Sequence, residues 1–125
     1  MVGNEANYLD WFFASGTWGR RGIAADARDE FIAAYTGRES LRCGFEYYRA
    51  MRRNAEQIAS VLQTKRLTVP TTAIGGNVVG DALYRQLAPI ADHLTGHVIA
   101  ECGHILPLDR PGELLSLLVP FAAAS

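Results

Sequence analysis

The sequence is 125 residues long, 49% hydrophobic and 20% charged, which fits one globular domain and excludes disordered and collagen-like chains. Twelve basic residues face 13 acidic ones, for a net charge of −1, so no basic field draws the chain to nucleic acid or to an anionic membrane. No apolar run reaches the ~20 residues of a spanning helix, no leader-like pattern opens the chain, and the two cysteines, Cys43 and Cys102, are too few for a disulfide framework and point to free thiols in a reducing cytoplasm.

The first two-thirds of the chain read as helical. Residues 4–14 form a very apolar stretch with Tyr8, Leu9, Trp11, Phe12 and Phe13, broken at Ser15-Gly16-Thr17. Asp26 suits the N-cap of a second helix that sets Phe31, Ala34 and Tyr35 on one face and is ended by Gly37. A third helix starts near Ser40, with Leu41, Gly44, Phe45, Tyr48 and Met51 or Arg52 at helical spacing. A fourth, capped by Asn54, carries Ala55, Ile58, Val61 and Leu62. The arginine-rich stretch 38–66 reads as a solvated helix face.

The character changes at Lys65-Arg66. Residues 67–74 are rich in β-branched side chains and run into Gly75-Gly76-Asn77. That is a strand opening into a loop, with Pro70 near its start. Residues 82–94 read as a helix kinked or interrupted by Pro89. Residues 96–101 read as a second strand, stopped by Cys102-Gly103. The tail from Pro111 places Leu114, Leu117, Leu118 and Phe121 on one helical face. Strand, helix, strand, helix is the order of a right-handed parallel β-α-β-α unit. The class is α/β, but two strands leave a sheet with both edges open, so the pattern is incomplete as a fold.

The densest local signal is CGHILPLDRPGEL, residues 102–114. A strand ends, a glycine allows a sharp turn, and His104 follows at once. At the C-terminal rim of an open parallel sheet a histidine can act as general base; spacing alone allows a structural loop histidine equally well. This segment resembles the catalytic-histidine region of α/β-hydrolases. Residues 69–77 look like the penultimate core strand of that fold. Residues 41–54, LRCGFEYYRAMRRN, resemble the helical cap of epoxide hydrolases and of related dehalogenase-like members. The resemblance runs from about residue 4 to 123 and covers only the C-terminal half of the family's fold. It implies a helical cap segment over residues 1–64, followed over residues 65–125 by the last two β-α units of the α/β-hydrolase core.

The resemblance implies roles for single residues. His104 matches the histidine that activates water or relays the proton of a serine nucleophile. Tyr48 matches a cap tyrosine that donates a hydrogen bond to the epoxide oxygen, where alkoxide charge develops; on spacing alone it is equally a core aromatic. Tyr47 lies on a different helical face. The nucleophile elbow, G-x-[Ser/Asp/Cys]-x-G, is absent from the 125 residues, as is the His-Gly oxyanion segment. Val79 stands where the triad acid usually falls. Asp81, two residues on, is the candidate acid, or else the N-cap of the next helix.

No cofactor or metal is expected. Gly75-Gly76 lacks the G-K-[ST] that would make a phosphate loop, and His93, His97, Cys102 and His104 show no C-x-x-C or H-E-x-x-H spacing. The function implied is that of an epoxide hydrolase-like part that supplies the histidine and lacks the nucleophile, inactive as an isolated chain. A small apolar molecule is the substrate expected once the missing half is present. Two rivals stand beside it: part of a serine esterase, and a non-catalytic module that self-associates through exposed apolar surface.

Overall fold

The structure, a computed structural model, describes residues 2–124. Helix α1, Glu5–Gly16, sends Leu9 and Phe13 inward. Residues 17–22 then form a strap that contains a 3₁₀ turn, Trp18–Arg20. Helix α2, Ala25–Tyr35, packs back on α1. Phe13 and Phe31 meet with ring centroids 5.0 Å apart. The Arg28 guanidinium grips both oxygens of Asp10, with Nη2 2.8 Å from Oδ2. This two-pronged pairing fixes the crossing of the two helices. Asp26 does not cap α2. The helix begins one residue earlier, and the Asp26 carboxylate accepts the Ala27 N–H inside the first turn at 2.8 Å.

Gly37 lies at φ +100°, a conformation that favours glycine. It opens α3, Arg38–Arg49, rather than ending α2, which stops at Tyr35. Helix α4, Met51–Leu62, follows after Ala50 alone, which keeps helical dihedrals. Asn54 is therefore an interior residue, its N–H bonded to Ala50 O at 2.9 Å, and no cap is needed. The solvated face of the pair is as expected. Arg42 pairs with Glu39, Arg49 with Glu46 and Arg52 with Glu56 along the helix surface. No residue of α4 is buried.

The chain then enters the sheet. Leu67 makes an isolated parallel bridge to Ala91, but Pro70 carries no N–H and the ladder proper starts after it. Strand β1 is Thr71–Gly76, so the predicted strand over 67–74 is displaced toward the C-terminus. Helix α5, Ala82–Leu87, stops before Pro89 instead of reaching residue 94. Strand β2, Leu94–Ile99, begins two residues earlier than predicted and lies parallel to β1, from Thr71↔Leu94 to Gly76↔Ile99. A four-residue turn of helix, α6, Leu106–Asp109, was not expected; α7, Pro111–Ala124, was. In α7, Leu114, Leu117 and Phe121 are half-buried, whereas Leu118 is exposed. Two small cores result. One is aromatic, between α1, α2 and α3. The other gathers Ala73, Ala91, Ile99 and Cys102 around the two strands.

Candidate active site

The two strand ends are fastened to each other. Asn77 donates its N–H to Cys102 O at 2.7 Å, and its side-chain oxygen accepts the Cys102 N–H at 3.4 Å. The approach is so close that a Cβ on Gly76 would overlap the carbonyl oxygens of Cys102 and Gly103. Glu101 adopts φ +48°, and Arg110 holds it there, with Nη2 2.8 Å from Glu101 Oε2 and Nε 3.1 Å from Glu101 O. Cys102 is fully enclosed. Burial pushes its thiol up, which disfavours the reactive thiolate.

His104 follows at the C-terminal end of β2. Its backbone N–H bonds Gly16 O at 2.7 Å, and the same oxygen accepts from Ile105 at 3.2 Å. Gly16 is the last residue of α1, so the histidine loop is seated on the end of the first helix. Gly103 admits no side chain, because a Cβ there would strike the backbone of Gly16 and Thr17. The residue is exposed, and its imidazole makes no hydrogen bond or ion pair among the described residues.

Tyr48 is not a core aromatic. It is 54% exposed and lines one wall of an apolar hollow of about 120 Å³. Leu9, Phe12 and Phe13 of α1, Phe31 of α2 and Phe45 of α3 complete much of the wall. Tyr47 stands outside, 74% exposed, with its ring edge-on to Tyr48 at 6.0 Å. Helix α1 is thus common to both candidate groups. Its side supplies the hollow beside Tyr48, and its C-terminal carbonyl seats His104.

Asp81 is placed differently. It occupies the N-cap position of α5 without a side-chain capping bond. Its carboxylate pairs with Arg85 at 3.0 Å. It lines a separate hollow with Tyr84 and His97 on the sheet side, and among the described residues no hydrogen bond or ion pair links it to His104. Val79 is half-buried in the turn that returns from β1. No group of three or more potential metal ligands gathers among the described residues.

One site residue escaped the sequence reading. Asp109 lies inside the quoted motif, yet its carboxylate reaches the strap after α1. Oδ2 accepts the N–H groups of Gly103 at 2.6 Å and Trp18 at 2.8 Å, and Oδ1 accepts Arg21 Nη2 at 2.7 Å. Its side chain is 3% exposed.

A parallel β-α-β-α unit with a histidine at the strand ends, joined to a preceding helical segment through the end of α1, has the fold of the C-terminal part of an α/β-hydrolase, epoxide hydrolase-like. No protein-family model matches the sequence. The soluble epoxide hydrolase of Corynebacterium sp. (strain C12) is 24% identical over 116 residues, which are 92% of this chain and 38% of that protein. Among solved structures, Cfl2 from Burkholderia cenocepacia superposes with a TM-score of 0.86 at 27% identity, over 95% of this chain and 41% of the other. The epoxide hydrolase CorEH gives 0.85 at 23% identity, over 95% and 42%. The Cif epoxide hydrolase from Acinetobacter nosocomialis gives 0.83 at 22% identity, over 96% and 40%. The chain therefore spans about two-fifths of the length of the proteins it matches.

Proposed function

We propose that this chain is the histidine-bearing part of a hydrolase that opens epoxides. The observation that carries the reading is the sharing of α1 by the His104 loop and by the apolar hollow at Tyr48. An apolar oxirane carrier fits such a hollow. A carboxylate nucleophile attacks one ring carbon, the carbon–oxygen bond breaks, and the Tyr48 hydroxyl donates to the departing oxygen as charge develops. His104 then removes a proton from water, which hydrolyses the ester and frees the carboxylate. The nucleophile comes from sequence outside these 125 residues. Asp81, which pairs with Arg85 at the surface, stays the candidate within these residues for the acid that orients His104, with an acid from that outside sequence as the alternative. The two free thiols support placement in a reducing cytoplasm.

The test has two arms. The chain alone should hydrolyse neither epoxides nor p-nitrophenyl esters above a His104→Ala control. Grafted in place of the matching two-fifths of an epoxide hydrolase, it should support epoxide opening. There His104→Ala should remove turnover, and Tyr48→Phe should lower kcat by roughly 100-fold. Turnover by the chain alone that His104→Ala abolishes, or a graft indifferent to both substitutions, defeats the reading.

A further inference from the structure

We propose that Asp109 is the positioning residue that locks the His104 loop to the strap of residues 17–22, so that the imidazole and the apolar hollow form one rigid unit. This rests on the hydrolase reading of His104. The observation is a single buried carboxylate that collects donors from two remote parts of the chain. Gly103, which immediately precedes His104, and Trp18, 91 positions from Asp109, both donate to Oδ2. Arg21 closes on Oδ1. With the side chain 3% exposed, such a charge is tolerated only because these donors replace its water.

The geometry separates positioning from catalysis. Asp109 bonds the backbone beside His104 and not the imidazole, so it is not the triad acid and touches no reacting atom. What it fixes is the place where the loop meets α1. There Gly16 O takes the His104 and Ile105 N–H groups, and Thr17 is buried, its hydroxyl donating to Phe13 O at 2.9 Å and accepting the Gly22 N–H at 2.9 Å. Phe13 in turn lines the hollow. The connection runs from the hollow through the end of α1 to the loop, and Asp109 staples its two sides.

Hydrogen exchange of the full chain, followed by mass spectrometry, tests this in Asp109→Ala and Arg21→Gln. In Asp109→Ala the segments around residues 101–106 and 16–22 should exchange about tenfold or more faster. Strands β1 and β2 should keep their protection. Asp109→Glu, which keeps the carboxylate, should restore much of the protection in the same two segments. Loss of protection throughout both strands, or equal loss in Asp109→Glu and Asp109→Ala, overturns the proposal. Should Asp109→Ala fail to fold, Arg21→Gln removes one donor whose side chain is half exposed, and a smaller change in the same two segments is expected; its absence overturns the proposal. No readout needs turnover, so the hydrolase reading stands or falls separately in the graft.

Discussion

The acidity of Asp109 is set by opposed influences. Burial pushes its carboxyl up, but the Gly103 and Trp18 N–H groups and the Arg21 guanidinium outweigh this and hold it below the ordinary carboxylate range. Arg110 and Glu113 act on the neighbouring Cys102 thiol, and Arg110 is itself paired with Glu101 at 2.8 Å and Glu113 at 3.5 Å. The folded state thus binds a proton at Asp109 less readily than the unfolded chain does. The staple's contribution is full above the unfolded carboxylate value of about 4 and is lost as the pH falls through the lower folded value. Hydrogen exchange measured down a pH series should therefore show the segment around residues 101–109 loosening in acid before the strands do. Asp109→Asn should be less stable by about 2 kcal/mol at neutral pH and should lack this step. An acid transition unchanged in Asp109→Asn would assign it to other carboxylates.

The elements show which features a sequence displays and which it hides. The β-α-β-α order, the helix from Pro111 and the histidine at a strand end all rest on local pattern, and they were legible. The boundaries moved where a single backbone group decided them. Pro70 shifts β1 by withholding an N–H, and Pro89 stops α5 before Leu94, which joins β2 instead. Asparagine favours the cap position, yet Asn54 lies inside a helix, because α3 and α4 run together through Ala50. Asp109 was hidden for another reason. Nothing in the spacing of CGHILPLDRPGEL says that a carboxylate will meet an N–H 91 positions away. The residue pattern ends the strand at Gly75-Gly76, whereas both glycines are strand residues held by close backbone contact. Gly76→Ala should accordingly part the Cys102-Gly103 carbonyls from β1 and cost about 3 kcal/mol or more, read from chemical denaturation. Gly112, with open space around its α-carbon, is the matched control, where alanine should change stability by less than about 0.5 kcal/mol. Equal effects at the two sites would remove the steric explanation.

The whole molecule exposes more surface than a compact protein of its mass. Its accessible area is 8651 Å². A compact monomer of 13.7 kDa shows roughly 6,600 Å², which leaves an excess of roughly 2,000 Å². The excess is rich in apolar side chains. Met51, Ile58 and Val61 of α4, Val98 of β2, and Leu115 and Val119 of α7 are all half exposed or more. Helices α4 and α7 contain no buried residue, and among the described residues the two-stranded sheet has no further strand beside it. An area of this size matches the footprint of a large obligate interface, not of a transient encounter. This chain spans about two-fifths of the length of the structures it matches, and we propose that the rest of such a fold covers this surface. When the chain is expressed alone, the same surface has only other copies to meet. Sedimentation should then show mass rising with concentration, and heating should give a broad transition. Replacing Met51, Ile58 and Val61 together with polar residues should reduce the association, because these side chains line no core whose loss would unfold the chain. A chain that sediments as a monomer at all concentrations and melts in one sharp cooperative step would show that its two small cores suffice, and that the exposed faces of α4 and α7 need no cover.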